Sequence, residues 1–351
     1  MPWLKYSPRH ISFRKGDDQE MNCAENRIVL GVDFGSTKIQ VGAITPDGKA
    51  LSARKFPTSR NSQEESISSL QGAIASFLKE WDGPSPAAIG IGLVGHIDCD
   101  NGIWVHSMNA KISEPVPIVQ ILEKQFSIPV FIDNDVHCAA LAEMVFGVGQ
   151  ISKHFILINV GTGVACGIVD EGRLLRGVAN SAGEFGHTSA ETGGELCPCG
   201  FFGCLENIVG GAALIRNAVS VLPNYPESAL NALYQAKNLH SNTIFEAAQA
   251  GDPLANTITQ RAVKALGIGT VNLANLLNPE YIIFAGSVMR NGWFVERVRK
   301  FICDNTLVAT LNCIKGISAS SIHVSDVGMY GAACLGFVPG AEPAVRRAAI
   351  R

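Results

Sequence analysis

His187 is followed ten positions later by Cys197, and Cys199 and Cys204 complete the run HTSAETGGELCPCGFFGC. Three thiols and one imidazole are the donor set of a closed tetrahedral zinc site, which leaves no position for a catalytic water, so a structural Zn2+ is expected. Gly200 and Gly203 around Phe201-Phe202 let the loop wrap tightly around the ion. Glu184 precedes His187 by three residues and Glu206 follows Cys204 by two. The folded loop could aim both carboxylates into a cleft, although as isolated residues they would be surface charges.

Phosphate chemistry is suggested at two places. In Asp33-Phe-Gly-Ser-Thr-Lys38, Gly35 lets the backbone approach an anion, Thr37 offers a hydroxyl beside Ser36, and Lys38 offers charge. Asp33 could order a metal-bound water next to that phosphate. Alone, this turn is equally a plain hairpin. Asn159-Val-Gly161-Thr162-Gly163 has the same strand-then-glycine character, and two such loops facing each other would clamp an oligophosphate. The single Walker loop is absent. Between them, Ile132-Asp133-Asn134-Asp135 closes a strand and opens a helix, where carboxylates often serve only as caps. At a hinge between two phosphate loops, however, Asp135 could accept a hydroxyl proton while Asn134 binds a neighbouring hydroxyl.

The elements that must position these residues alternate as in an α/β protein. IVLGVDF, STKIQVGAI and KALSARKF predict an antiparallel meander from Ile28. A helix at Ser66–Glu80, the strand AAIGIGLV, a turn at Gly95, a helix at Val116–Lys124 and the strand PVFID follow. After a helix over Asn134–Phe146, the strands HFILINV, GVACGIV and GRLL repeat the opening. Helices are then expected at Leu205–Val221, Glu227–Lys237, Thr243–Ala250 and Pro253–Leu277, followed by the strand YIIFAG, a helix at Trp293–Asp304, a strand SIHVSD and a helix from Met329 to Phe337. The expected organisation is a flexible extension (1–26), a small α/β lobe (27–137) to which a helix near 328–340 returns, a large lobe (138–327) carrying the zinc loop 187–204, and a tail (341–351).

Composition excludes other classes. The 351 residues are 47% hydrophobic and 17% charged with a net charge of -3, so no basic field exists to gather nucleic acid or an anionic membrane. No apolar run reaches the roughly 20 residues of a membrane helix and the first residues are too polar for a signal peptide, which sets a cytoplasmic expectation. Cys23, Cys99, Cys138, Cys166, Cys303, Cys313 and Cys334 are scattered singly and are expected to be small buried hydrophobes.

From about Ile28 to Phe337 the chain resembles the ROK family of sugar kinases and related repressors. The likeness lies in DFGSTK, GLVGHID, IDNDVHCAALAE, VGTG, AGEFGH, CPCGFFGCLE, NLLNPEYIIFAGS and GMYGAACLG. The resemblance implies a two-lobed actin-like ATPase (ribonuclease H-like) fold with an interlobe cleft in which ATP, Mg2+ and a sugar meet, in a homodimer. It places the general base on Asp135 and sugar contacts on Asn134, Glu184, His187 and Glu206, with a backbone contact at Gly95 and a further contact near Asn109. Phosphate contacts fall on Gly35, Thr37, Lys38, Thr162 and Gly163, and adenosine next to Gly286. His187 would then serve twice, one ring nitrogen on zinc and the other toward the sugar.

Departures from the family pattern fall on the nucleotide side and on the sugar side. Ala165 and Cys166 stand where glycines usually continue the second loop, and Ala285-Gly286-Ser287 replaces a triple glycine. Val94 replaces the usual proline before Gly95, His96 follows it, and Met108-Asn109-Ala110 lacks the pattern common in glucose enzymes. The expected activity is phosphorylation of a hexose or N-acyl hexosamine hydroxyl, with a sugar-responsive regulator as the alternative. The 26 residues before this core are fewer than the winged helix-turn-helix of the repressors needs.

Overall fold

The computed structural model describes residues 27–35, 37–323 and 326–337. The expected extension and tail, Cys23, and Ser36 of the first phosphate loop lie outside the described residues. In the first half, β1 (Val29–Phe34), β2 (Lys38–Ile44) and β3 (Ala50–Pro57) form the expected meander. They are followed by α1 (Gln63–Glu80), β4 (Ala88–Leu93), a hairpin of β5 (His96–Asp98) and β6 (Ile103–His106), α2 (Ile118–Phe126), β7 (Val130–Asn134) and α3 (Asp135–Phe146). The second half opens with β8 (Phe155–Val160), β9 (Val164–Asp170) and β10 (Arg173–Leu174). Then come α4 (Glu206–Val209), α5 (Gly211–Val221), α6 (Leu230–Gln235), α7 (Ser241–Gln249) and α8 (Pro253–Leu277). β11 (Tyr281–Ala285), α9 (Gly292–Asn305), α10 (Val308–Leu311), β12 (Gly316–Ala319) and α11 (Val327–Cys334) complete it.

The repeated opening is a repeated sheet. The strand orders are β3-β2-β1-β4-β7 and β10-β9-β8-β11-β12, each with an antiparallel meander joined by two parallel strands. Parallel strands covered on both faces read as continuous apolar runs, and β4 (AIGIGL) is buried along its whole length. The helix α1 starts where the Ser62 side chain accepts the Glu65 N–H, with Glu64 and Glu65 favourably placed in its first turn.

Two helices lie between the sheets. On one side of α3, Val136, Ala139 and Ala140 pack with Phe155, Leu157 and Ile283 of the second sheet. On the other, Cys138 and Leu141 pack with Ala332 and Leu335 at α11. The boundary expected after residue 137 therefore falls inside a helix that serves both halves. α11 rests on the first sheet at backbone distance: a Cβ on Gly90 would lie 1.8 Å from the Ala332 carbonyl oxygen, and one on Gly331 1.7 Å from that of Cys138. Backbone atoms cannot swing aside, so Gly90→Ala should lift α11 from the sheet and cost about 1–3 kcal/mol or more. An unchanged melting midpoint in thermal denaturation would contradict this contact.

Three expectations need correction. The helix expected over Leu205–Val221 is broken at Gly210 (φ -59°, ψ 143°), where the Gly161 and Thr162 carbonyls accept the N–H groups of Gly211 and Ala212. Of SIHVSD, residues 324 and 325 lie outside the described residues and the others are not in a strand; GISA of β12 pairs with β11 instead, and the Ser320 hydroxyl then turns the chain by bonding both the N–H and the carbonyl of Ile322. Among the single cysteines, Cys99, Cys138, Cys166 and Cys334 are buried, but Cys303 on α9 is half-buried and Cys313, in the turn after α10, is exposed.

Candidate active site

Five of the cleft positions expected from the sequence sit at the carboxyl ends of parallel strands, while Asn109, Glu184, His187 and Glu206 come from turns and a helix start. Asp33 ends the pairing of β1, Gly95 follows β4, and Asn134-Asp135 joins β7 to α3, while Gly161 follows β8 and Gly286 follows β11. Ligand crevices in open α/β sheets form there because chain connections diverge beyond the strand ends.

The turn at Asn134 is a cap and more. Its side-chain oxygen accepts the Val136 N–H at 2.8 Å, and its Nδ2 donates to the Gly95 carbonyl at 3.1 Å, tying the ends of β4 and β7 together. Asp135 follows at the first helical position, half-buried, and also accepts from Val136 N–H at 3.0 Å. Desolvation pushes its carboxyl up to about 6, opposed by backbone N–H groups and the charge of His137 and assisted by Glu184. Asp33 is pushed up to about 7, first by burial and then by Asp135, with Lys38 opposing. The two carboxylates are thus electrostatic neighbours although far apart in sequence. The first turn of α11 also abuts Asp33, since a Cβ on Gly328 would lie 2.6 Å from its carboxyl carbon.

The first phosphate loop closes through Gly35 N–H to the Lys38 carbonyl at 3.1 Å, and the Thr58 hydroxyl donates to the Gly35 carbonyl at 3.2 Å. Thr37 is exposed and Lys38 half-buried beside it. In the second loop, Gly161 N–H donates to the Gly163 carbonyl at 3.0 Å. Glu206 lies against Gly163 and accepts the Val164 N–H at 2.9 Å, so one of its oxygens already braces this loop. Gly286 (φ +93°) packs on β8, where a Cβ would meet the Val160 carbonyl oxygen at 2.3 Å. Asn109 is exposed at the tip of a turn anchored by Arg60, which donates to its carbonyl at 2.6 Å; the base of that turn, at Ser107, lies beside Gly95.

The expected metal ligands converge. One donor atom from each of His187, Cys197, Cys199 and Cys204 lies within 4.8 Å of all the others. Cys199 Sγ is 3.6 Å from Cys204 Sγ, and Cys197 Sγ is 3.8 Å from His187 Nδ1. Bonds of about 2.3 Å to sulfur and 2.0–2.1 Å to nitrogen in a tetrahedron give such edges, so the donor set fits zinc. Burial and the neighbouring thiols push Cys204 up to about 12, so a dication is what would let three thiolates coexist. His187 Nε2 points the other way, 3.9 Å from a Glu184 oxygen.

Three residues that the sequence reading left unused join the site. Asp133, fully buried at the end of β7, binds His137 on the first turn of α3 and Arg176 beyond β10. The spacing of Asp133 and His137, one helical turn apart, was a visible signal. Arg176 had none, because it reaches Asp133 only through the fold.

Three comparisons bear on the family of the chain. The ROK family profile matches residues 29–336. A glucokinase of Halalkalibacterium halodurans is 35% identical over 272 residues, covering 76% of this chain and 82% of that protein. The DNA-binding transcriptional dual regulator NagC of Escherichia coli is 31% identical over 86% of this chain and 74% of its own length. The structure of a ROK family glucokinase from Streptomyces griseus, in complex with glucose and AMPPNP, superposes with a TM-score of 0.75 at 30% identity, over 88% of this chain and 98% of that one. The profile match over residues 29–336 and the relatives covered over most of their length make this protein a member of the ROK family.

Proposed function

We propose that this protein is an ATP-dependent sugar kinase acting on a hexose or N-acyl hexosamine hydroxyl, the 6-hydroxyl by family resemblance, with Asp135 as general base. The observation that carries the reading is the position of Asp135: half-buried at a strand end, with the ends of β1 and β7 brought together. A carboxylate pushed up to about 6 is still ionised near neutrality and is a better proton acceptor than a solvated one. Asp135 takes the proton of the sugar hydroxyl as its oxygen attacks the terminal phosphorus, and ADP leaves. Asn134, Glu184, His187, Glu206 and the Gly95 carbonyl region orient the sugar. Lys38 and the two glycine loops hold the phosphates and stabilise charge on the transferred group.

Mg2+ arriving with the nucleotide would neutralise phosphate charge, and Asp33 would hold a water of its shell. His187 Nδ1, Cys197, Cys199 and Cys204 would hold a structural zinc that shapes this loop, leaving His187 Nε2 for the sugar. A homodimer and a cytoplasmic setting belong to the same reading. Among the described residues, no helix is long and apolar enough to cross a membrane.

For the sugar, His96 is exposed and its Nε2 lies 3.2 Å from the Ala179 carbonyl, so the ring is drawn across toward the second half of the chain. This supports room beside Gly95 for a substituent at carbon 2, and N-acetylated hexosamines are expected to be accepted at least as well as glucose. ADP release with glucose, N-acetylglucosamine, N-acetylmannosamine and fructose, compared as kcat/KM, decides it. A glucose preference above roughly tenfold, about 1.4 kcal/mol, overturns the N-acyl reading. The likeness to a repressor keeps one alternative, a sugar-binding regulator. Saturable sugar binding without ADP release from any sugar would favour it.

A further inference from the structure

The buried carboxylate of Asp133 is surrounded by donors. Its Oδ1 accepts the Asn134 backbone N–H at 2.8 Å and faces His137 Nδ1 at 2.9 Å, with the Cys99 thiol at 3.6 Å. Its Oδ2 accepts from Arg176 Nε at 3.1 Å and Nη2 at 2.7 Å. With donors filling both oxygens there is no room for a proton, so the group is a carboxylate. The other ring nitrogen of His137 faces the Ala182 carbonyl at 3.1 Å, and a carbonyl only accepts. Both ring nitrogens therefore carry hydrogen, and His137 is an imidazolium although buried.

The charges facing His137 are Asp133 on β7, Arg176 beyond β10 and Asp135 on its own helix. Burial alone would pull His137 down, but the bond and charge of Asp133 and the Ala182 carbonyl raise it above the usual imidazole value. Burial would likewise push Asp133 up, yet His137 and Arg176 hold it below the usual carboxylate value.

Arg176, Ala179 and Ala182 belong to one segment of the second half, whereas Asp133, His137 and His96 belong to the first. The segment is thus fastened to the first half at three points around the Asn134-Asp135 turn, on β5, α3 and β7. Within it, Ala179 (φ 56°) and Asn180 (φ 58°) occupy the left-handed region, a conformation that surrounding contacts must hold in place.

Resting on the reading of Asp135 as base, we propose that Arg176 and His137 are positioning residues for phosphoryl transfer. Through Asp133 they fix the Asn134-Asp135 turn against this segment, so that the base is aligned only when the two halves of the cleft are docked.

Two measurements test it. In 15N NMR of histidine-labelled protein, with His137 assigned by signal loss in His137→Gln, both ring nitrogens should be protonated at pH 7.5; a neutral ring overturns the network. With the best sugar from the ADP-release screen, Arg176→Met should lower kcat at least about tenfold while the KM for ATP stays within about twofold, and Arg176→Lys should recover part of the loss. Wild-type kcat in Arg176→Met beside a disabled Asp135→Asn overturns the positioning role and leaves the base. Wild-type kcat in both overturns the base reading and the proposal with it. Should Arg176→Met fail to fold, the charge state of His137 in the wild-type protein and kcat of Arg176→Lys decide.

Discussion

Asp135→Asn should turn over at least about 100-fold more slowly than the wild type while binding sugar nearly as before. Asparagine keeps the size and can still accept the Val136 N–H, and the cap of α3 is supplied by Asn134 in any case. Only the proton-accepting charge is lost. The pH profile provides a second readout. The base works ionised, so wild-type kcat/KM should fall as pH drops through about 6, with Asp33, near 7, titrating as a coupled partner. In the variant the contribution of Asp135 to that limb disappears.

Stability should move in the opposite direction. An acid whose folded-state value is raised from 3.8 to about 6 favours the folded state when protonated, and its ionisation costs stability as pH rises through that window. Asp135→Asn should therefore melt higher than the wild type above pH 6, the signature of a group kept for function. Near-wild-type turnover would sink the base assignment.

One zinc ion per chain should accompany the purified protein, and Cys199→Ser should reduce it, loosen residues 187–204 and weaken sugar binding more than ATP binding. Cys199 is the exposed cysteine of the cluster, so its replacement by serine disturbs no packing and tests ligation directly. The loop has little core of its own, with Leu196 60%, Phe201 71% and Phe202 62% exposed. Apart from backbone bonds, its attachment includes the Arg261 to Glu191 pair at 2.7 and 2.8 Å, half exposed and of modest worth. Structural zinc contributes about 10–16 kcal/mol in zinc-finger peptides, far more than such a pair. Elemental analysis that finds no zinc in protein purified without chelators would refute the site.

Much of the site was legible because its parts are local. His187, Cys197, Cys199 and Cys204 span one loop, so their spacing already limits where their donor atoms can meet. Strand-then-turn runs such as VLGVDF and FILINV carry the apolar signal of buried parallel strands, and α8 began and ended where its Asp252 cap, proline and asparagine indicated. SIHVSD misled because its alternation is that of a strand, while pairing with β11 goes to the residues that reach its register, Gly316–Ala319. The break at Gly210 was equally hidden, since the carbonyls that stabilise it come from Gly161 and Thr162.

The sequence by itself determined which residues could be metal ligands, phosphate loops and base, and the order of elements that carries them, because those signals lie within a loop or a turn. Only the tertiary structure decided that Gly328 backs Asp33, that Glu206 braces the second loop, and that Arg176 and His137 hold Asp133 ionised. Those outcomes depend on desolvation and on contacts between distant segments, and neither exists until the two sheets have packed on α3 and α11.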